Sequence, residues 1–229
     1  MARTVKEYDE RYTEFLDVGQ RLFYQKGYEQ TSVQDIISEI GVAKGLFYYY
    51  FSSKTDLLDA VIERMTSQIL SSLQPMIDDP DCDAPTKLDQ FFQRTQRWKL
   101  ANREFLIDIM SVIYRDENTL LRTKIIAATL PIVVPQLACI IRQGIAEGVY
   151  DVVYPEESAE IIMELSQGVA LPIADLLLNG PQQGVDLETA LQRLERRILA
   201  YERSIERILG AANETLCIVS PGSLRAWFV

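Results

Sequence analysis

The chain has 229 residues, of which 48% are apolar and 24% charged, and this is enough for one large domain or two small ones. Its formal net charge of −10 argues against a broadly basic nucleic-acid coat but leaves room for a local basic patch. It has no histidine, which excludes Ser-His-Asp and Cys-His catalysis and histidine metal sites, and its three scattered cysteines form no CxxC pair.

The same sequence predicts a cytoplasmic protein. The start, MARTVKEYDE, lacks the apolar core of a signal peptide, and no uninterrupted apolar run approaches the roughly 18 residues of a membrane span. The acidic segment at 78–83 is interpreted as a solvated turn rather than a cation site. We expect no disulfide framework, no metal and no cofactor.

Apolar residues at spacings of three and four predict helices almost throughout. The first four lie at about 8–26, from a cap at Thr31 or Ser32 to Gly41, at about 44–51, and from Ser53 or Thr55 to a break at 78–85. Five more are expected at about 85–101, 103–115, 117–148, 155–178 and 185–209, with a turn at Asp116–Asn118. The pattern predicts an all-α fold of about nine helices. A helix-turn-helix domain is expected over 1–54, with the start of the fourth helix to about residue 62, and a larger helical domain over 55–229.

Three prolines fall inside predicted helices, namely Pro131, Pro135 and Pro172, and should kink them. The apolar tail from Gly210 to the end, 210–229, has no assigned element.

The segment 31–58 carries the functional signal, because two short helices meet there at a turn that contains glycine. Phe47 and Phe51 are four apart and should be buried, and that rotation turns four residues outward: Lys44, Gly45, Tyr48 and Tyr49. Ammonium and hydroxyl groups donate to phosphate oxygens, and helix N-termini favour anions. Lys54, at the start of the next helix, is expected to hold another phosphate.

This block resembles the N-terminal DNA-binding domain of the tetracycline-repressor-like (TetR/AcrR) transcription regulators. The match covers roughly residues 10–62 and rests on the FL…G…LF pattern of the first helix, KGYEQTSVQDI, GVAKGLFYYYF and SKTDLL. Beyond it, the chain is similar to the family in length and helical character. The resemblance implies an operator-binding surface formed by Thr31, Ser32, Gln34, Lys44, Gly45, Leu46, Tyr48, Tyr49, Tyr50 and Lys54.

Three residues depart from the family pattern. Ala43 stands where a serine is common, Leu46 where a threonine is common, and Tyr50 where a histidine is common. Ala43 and Leu46 each lose a hydroxyl donor, although Leu46 offers a contact to a thymine methyl. We expect these replacements to lower the affinity for DNA while leaving the motif itself intact.

The resemblance also implies a small-molecule site among helices four to eight. The candidate residues are Phe91, Trp98, Phe105, Asp108, Met110 and Tyr114. Asp108 lies in a segment, 105–114, with apolar residues on every face, so its carboxylate must be paired or neutralised. Two interpretations are open: a structural pair with Arg94 or Arg97, or a pocket carboxylate that selects a cation or a hydrogen-bond donor.

The last two long helices carry sustained apolar stripes, and the resemblance implies that they form a two-fold dimer interface. The candidate residues are Ile161, Leu165, Gly168, Val169, Leu191, Leu194, Ile198 and Ile205.

These features together predict a homodimeric repressor, not an enzyme, that a small-molecule inducer releases from a palindromic double-stranded DNA operator. Two other classes stay open. One is an all-helical enzyme that uses Asp or Glu, and the other is a helical interaction protein of the same fold that has lost specific DNA binding. DNA binding measured at several salt concentrations separates the three.

Overall fold

The structure, a computed structural model, describes residues 2–115, 119–180 and 183–228. Ten helices and no strand occur in these ranges, so the all-α prediction is confirmed for this part of the chain. The helices are α1 (Ala2–Lys26), α2 (Val33–Ile40), α3 (Lys44–Tyr50), α4 (Lys54–Ile77), α5 (Ala84–Ala101), α6 (Arg103–Ile113), α7 (Thr119–Ala146), α8 (Pro155–Asn179), α9 (Leu187–Leu209) and α10 (Pro221–Arg225). The turn predicted at Asp116–Asn118 lies outside the described residues.

Local side-chain chemistry explains where several helices begin and end. The Asp35 N–H donates to Ser32 Oγ at 3.1 Å, and the Ser32 N–H donates to Asp35 Oδ2 at 2.8 Å, which is a capping box on α2. Hydrogen bonds from Ser32, aided by Lys26, hold the pKa of Asp35 at about 2. Gly41 ends α2 at φ +75°, a left-handed conformation that glycine adopts without a Cβ penalty. The turn between α2 and α3 is therefore set by short-range sequence.

The chain forms two compact units, and each is discontinuous in sequence. The first comprises Met1–Thr66 and Glu104–Ala127, and the second Ser67–Arg103 and Ala128–Val229. The start of α4 completes the core of the first unit, where Leu57 and Leu58 are fully buried. The domain bounds proposed from the sequence stay a prediction. The helix α6 also belongs to the first unit, through contacts described below.

The second unit is built around one apolar core with side chains from α4, α5, α7, α8, α9 and the tail. Five residues predicted at a dimer interface belong to this core: Val169, Leu191, Leu194, Ile198 and Ile205. Their side chains are already buried within a single chain and are not available to a partner, so this part of the interface prediction is wrong. The apolar stripe of α9 is used inside the chain.

The unassigned tail is also part of this unit. Two carboxylates of α9, Glu202 and Glu206, are 3% and 1% exposed. The Ile218 N–H donates to Glu202 at 2.7 Å, and the N–H groups of Thr215 and Leu216 donate to Glu206 at 2.9 and 3.0 Å. Two buried acceptors therefore fix the backbone of the tail before α10.

The helices α8 and α9 approach closely within the chain. Pro172 has no N–H for the carbonyl of Gly168, and Arg197 Nε donates to that carbonyl instead, at 3.1 Å. A Cβ at position 168 would overlap the Tyr201 hydroxyl. Gly168 thus allows this contact between α8 and α9, whereas the part assigned to it in a dimer interface stays a prediction.

By length and composition alone, α8 and the segment Arg122–Ala146 of α7 could cross a membrane. This is weak evidence, because a core helix of a soluble protein meets the same test. Both helices contribute side chains such as Leu137, Ile141 and Ile162 to the core of the second unit, although only 28% and 17% of their most apolar stretches are buried within the chain.

Candidate DNA-binding surface

The orientation of α3 follows from two aromatic anchors. Phe47 is fully buried and Phe51 is 3% exposed. The Phe47 ring packs edge-on against Phe15 of α1, with ring centroids 5.8 Å apart. A buried aromatic side chain contributes roughly 1.5–3 kcal/mol, so these contacts hold α3 in one rotation on α1.

That rotation exposes the opposite face of α3. Tyr48 and Tyr49 are 49% and 69% exposed, and Lys44 is also exposed. The Lys44 ammonium lies 5.8 Å from the centre of the Tyr48 ring. Large exposed aromatic side chains next to a cation are typical of a binding surface, and donors of these types suit phosphate oxygens.

Gly45 lies on the same exposed face. Apart from its chain neighbours and the backbone of α3 itself, no atom of the described residues lies within 4 Å of the position that a Cβ would occupy there. The fold itself therefore gives no steric reason for glycine, which costs about 0.5–1 kcal/mol in a helix relative to alanine. Close approach of an external partner supplies such a reason.

Tyr50 is less available than its neighbours. It is only partly exposed, and its ring packs on Tyr8 and Phe15 with centroid distances of 4.7 and 5.5 Å. Burial, followed by the nearby Tyr49, raises its pKa. Tyr50 joins α3 to α1, and any contact that it makes with DNA is limited to the exposed part of the ring.

Thr31 was expected on the DNA-binding surface, and the structure places it in the interior. The residue is 0% exposed, and its hydroxyl donates to the carbonyl of Gly27 at 2.8 Å, with the Leu22 carbonyl 3.3 Å away. The side chain has no free donor for a phosphate, so the prediction of a DNA contact is wrong. Thr31 instead fixes the turn between α1 and α2.

Lys54 also has a structural contact. Its ammonium donates to the carbonyls of Tyr28 and Thr31 at 2.8 and 2.9 Å and lies 4.1 Å from the centre of the Tyr28 ring. Burial lowers its pKa. The charge joins the start of α4 to the turn between α1 and α2; this internal bonding counts against the predicted phosphate contact, which stays to be tested.

Three other predicted contacts remain open. Ser32 is exposed, but its hydroxyl takes part in the capping box of α2. Gln34 is exposed and donates to Ser38 Oγ at 3.0 Å, while Leu46 is partly exposed. All three stay predictions.

Asp59, on α4 in the same unit, gives a prediction of its own. Its Oδ1 atom is buried and has no hydrogen-bond partner among the described residues. Burial, then repulsion from Asp56 and Glu63 against the attraction of Lys124, raises its pKa to about 6. The folded chain keeps this proton up to about pH 6, whereas the unfolded chain releases it near pH 4. The charged carboxylate therefore lowers stability progressively as the pH rises from about 4 to about 6, and the loss persists above that range.

Asp59→Asn is expected to raise the free energy of unfolding by roughly 1 kcal/mol at pH 8, after allowance for solvent screening. At pH 4 the gain should largely vanish, because the wild-type carboxyl is neutral in the folded protein. Urea unfolding of both proteins at the two pH values measures the difference. A gain of equal size at both values would contradict the assignment.

The candidate ligand residue Asp108 binds within the first unit. Its Oδ2 accepts the backbone N–H of Tyr28 at 2.8 Å, directly after Gly27. Neither predicted arginine is the partner: Arg94 and Arg97 lie in the second unit and are exposed. Asp108 thus has a structural partner, as one of the two interpretations expected, but the partner is a backbone N–H and not an arginine. The carboxylate anchors α6 to the turn that follows α1.

Phe105 has a similar place. Its ring stacks on Tyr24 of α1 with a centroid distance of 3.9 Å and an interplanar angle of 4°. Arg115, just after α6, pairs with Glu29 at 2.7 Å. Three contacts therefore attach α6 to the helix-turn-helix, and sequence reasoning identified only two of the residues involved, as ligand candidates.

The other ligand candidates do not form one cluster. Phe91 is buried in the core of the second unit, and Trp98 of the same unit is partly exposed. Met110 and Tyr114 belong to the first unit, where the Arg122 guanidinium lies 5.5 Å from the centre of the Tyr114 ring. No group of three or more His, Cys, Asp or Glu side chains within the described ranges is placed to hold a metal ion.

Two family models match the chain. The model for bacterial regulatory proteins of the tetR family covers residues 15–61, which include α2, α3 and the exposed face of α3. The model for the tetracyclin repressor-like C-terminal domain covers residues 102–185.

Curated relatives match parts of the chain. The uncharacterised HTH-type transcriptional regulator YvdT of Bacillus subtilis is 31% identical over 90 residues, 39% of this chain and 46% of YvdT. The HTH-type transcriptional regulator AcrR of Shigella flexneri is 40% identical over 70 residues, 30% of this chain and 33% of AcrR. The chain thus matches less than half the length of these two relatives.

Solved structures extend the likeness to most of the chain. A TetR-family transcriptional regulator from Pectobacterium atrosepticum aligns with a TM-score of 0.61 and 21% identity, covering 89% of this chain and 96% of that one. FadR of Thermus thermophilus, a TetR-family repressor in complex with lauroyl-CoA, aligns with a TM-score of 0.59 and 18% identity, covering 81% and 91%. At these identities the likeness establishes the fold.

Proposed function

This chain belongs to the TetR family of bacterial transcriptional regulators, and we propose that it is a repressor that binds a palindromic operator as a homodimer and releases it when a small molecule binds. The observation that carries the proposal is the exposed face of α3, with Lys44, Gly45, Tyr48 and Tyr49 held outward by Phe47 and Phe51. The proposal includes no enzymatic activity and no cofactor, and it places the protein in the cytoplasm.

DNA docking through α3 is local rather than driven by overall charge. Residues 1–54 contain seven Lys or Arg and eight Asp or Glu, a net charge of −1 in a chain of net charge −10. The remaining residues thus carry a net charge of −9, so the helix-turn-helix segment 1–54 is the less repulsive part for a phosphate backbone. We expect few phosphate contacts and a modest dependence on salt.

Two copies of α3 would read the operator only if the protein is a dimer, because half-sites lie about 34–36 Å apart in successive major grooves. Of the predicted interface residues, Ile161 is 47% exposed and Leu165 is partly exposed. Leu171 of α8 and Leu199 of α9 are also exposed, at 45% and 51%. These four leave an apolar surface on α8 and α9 for a second copy.

The ligand response is proposed to act through α6. Its Asp108 holds the Tyr28 N–H, and Lys54 holds the Tyr28 carbonyl, so one peptide segment of the helix-turn-helix is bound from α6 and from α4. A ligand that shifts α6 would change the setting of α1 and α2, and a coupling of about 1–3 kcal/mol is enough for a 5–150-fold change in operator affinity. The FadR structure with lauroyl-CoA supports a small-molecule site in this fold.

Selection of bound fragments from a genomic DNA library tests the proposal and supplies the operator. With that operator, Lys44→Ala is expected to weaken binding about tenfold and to reduce the slope of log K against log salt by about 1, as loss of one phosphate contact requires. Tyr48→Phe should weaken binding less, because only a hydroxyl donor is lost. Fluorescence anisotropy at several salt concentrations measures both changes.

Lys54→Met is the matched control, a second lysine of the motif whose ammonium is bonded internally. It should lower the melting temperature, because two carbonyls lose their donor, and leave the salt slope of the folded protein unchanged. The docking surface is wrongly placed if Lys44→Ala binds the operator as wild type does while Lys54→Met reduces the slope of log K against log salt. Retention of no fragment at low salt would instead favour an interaction protein without DNA binding.

A further inference from the structure

The first helix brings a further tyrosine to the exposed face of α3. The ring of Tyr8, on α1, meets that of Tyr49 edge-on, with centroids 6.1 Å apart and an interplanar angle of 74°. It also packs on Tyr50 at a centroid distance of 4.7 Å. Tyr8 is 40% exposed and Tyr49 is 69% exposed. An exposed aromatic surface therefore continues from α3 onto α1, and contiguous surfaces of this kind are typical of binding sites.

Tyr8 is held in place on one side only. Tyr8, Tyr12 and Phe15 follow at spacings of four and three, which puts them on one face of α1. Along this face burial decreases toward the start of the helix, because Phe15 is fully buried, Tyr12 is partly exposed and Tyr8 is the most exposed of the three. The Tyr12 ring lies nearly parallel to that of Tyr8, with centroids 6.3 Å apart. Its neighbours thus support the Tyr8 ring and leave part of it open to solvent.

The hydroxyl of Tyr8 has no part in this packing. Within the described ranges, the hydroxyls of Tyr8 and Tyr49 have no hydrogen-bond partner, whereas that of Tyr28 lies 3.1 Å from the Thr55 hydroxyl. A phenylalanine at position 8 would make the same ring contacts. The fold therefore uses the ring of Tyr8 and leaves a free donor at the edge of the exposed face of α3.

Charged neighbours of Tyr8 do not form a basic patch there. Asp9 and Glu10 are turned about 100° and 200° away from Tyr8 around the axis of α1, and Arg11 pairs with Glu14. A hydroxyl needs no such patch, because it donates a hydrogen bond to a phosphate oxygen as a neutral group. The chemistry at this point suits the sugar–phosphate backbone of DNA, with the hydroxyl toward a phosphate and the ring against a sugar.

We propose that Tyr8 is a DNA-binding residue, and that its hydroxyl donates to a backbone phosphate beside the groove that α3 enters. The inference rests on the proposed function and extends its docking surface from α3 to α1. Tyr8 lies outside residues 15–61, which the tetR family model matches, so the contact belongs to this chain's own α1 and not to the matched motif.

Tyr8→Phe tests the hydroxyl without disturbing the ring contacts. Operator binding is expected to weaken about fivefold, the effect of one lost hydrogen bond. The slope of log K against log salt should stay that of wild type, because no charge is removed, and so should the melting temperature. Tyr154→Phe is the matched control, since Tyr154 is 67% exposed but belongs to the second unit, and it should change none of these values. Fluorescence anisotropy and thermal unfolding provide the measurements.

A modified operator locates the contact. Replacing each phosphate in turn by a neutral methylphosphonate should reveal one position in each half-site at which wild type loses affinity and Tyr8→Phe loses almost none. The two changes are non-additive there because both remove the same hydrogen bond. The proposal is overturned if every methylphosphonate weakens the two proteins equally, or if Tyr8→Phe binds the unmodified operator as wild type does. The latter result would leave the aromatic surface to a protein partner.

The Lys44→Ala variant separates failure of this contact from failure of the proposed function. If Lys44→Ala weakens operator binding and Tyr8→Phe does not, the repressor function stands and only the role of Tyr8 is lost. If the wild-type protein retains no DNA fragment at low salt, the repressor function and the Tyr8 contact are lost together.

Discussion

Glu206→Ala is expected to lower the free energy of unfolding by about 3 kcal/mol, because it removes the partner of several buried groups at once. The Glu206 carboxylate accepts from the Thr215 and Leu216 N–H groups and pairs with Arg203 at 2.6 Å. Burial opposes its ionisation, but Arg203 and the backbone N–H groups outweigh burial and lower its pKa. Without the carboxylate, two amide groups lose their acceptors and the tail keeps only its other attachments to α9, such as that of Ile218 to Glu202.

Glu206→Gln separates the hydrogen bonds from the charge. Its amide oxygen still accepts from the two N–H groups, so we expect roughly half the loss. Glu160→Ala, on the exposed side of α8, is the control and should change stability by no more than about 0.5 kcal/mol. Urea unfolding at pH 7 measures all three. A Glu206→Ala variant as stable as the control would show that the tail is not held by this carboxylate.

In the sequence, inward-facing charged residues such as Glu206 are visible only as interruptions of an apolar helix face. Glu202 and Glu206 interrupt the apolar stripe of α9, as Asp108 interrupts that of α6. Periodicity shows that such a side chain faces inward, but it does not show what lies opposite. The partners of Asp108 and Glu206 are backbone N–H groups 80 and nine or ten residues away, and no pattern of residue types identifies them.

The helix-turn-helix was more predictable because its determinants are local. The capping box of Ser32 and Asp35, the left-handed Gly41, and the four-residue spacing of Phe47 and Phe51 fix α2, α3 and the exposed face of α3. Thr31 was assigned to DNA through the family resemblance, and Lys54 through its position at the start of the fourth helix. Thr31 binds the Gly27 carbonyl four residues back, and Lys54 binds carbonyls 23 and 26 residues away. Helix periodicity reveals neither contact.

The dimer prediction failed in α9 for a related reason. An apolar stripe shows that a helix buries one side, but not whether its own chain or a second copy covers it. In α9 the stripe with Leu194 faces the core of the same chain, and a different side carries Leu199. The two leucines are five residues apart on one helix, and we expect Leu194 to matter for folding and Leu199 for assembly of the dimer.

Leu199→Glu is expected to give a folded monomer, whereas Leu194→Glu is expected to unfold the second unit. Leu194 is 6% exposed, so an unpaired carboxylate at that site costs several kcal/mol in the single chain. Leu199 is 51% exposed, so glutamate is tolerated in one chain and becomes costly only when a second copy covers it. Sedimentation velocity, with circular dichroism for helix content, distinguishes the two outcomes.

The effect on DNA follows from geometry. A monomer presents one α3 and occupies one half-site, so it loses the contribution of the second half-site, and we expect operator affinity of Leu199→Glu to fall at least 100-fold. Ile161→Glu on α8 should act in the same way, because Ile161 is 47% exposed. Glu160→Ala, beside it, should dimerise normally. If both glutamate variants sediment as wild-type dimers, the apolar surface of Ile161, Leu165, Leu171 and Leu199 is not the interface, and the second copy must bind elsewhere on the chain.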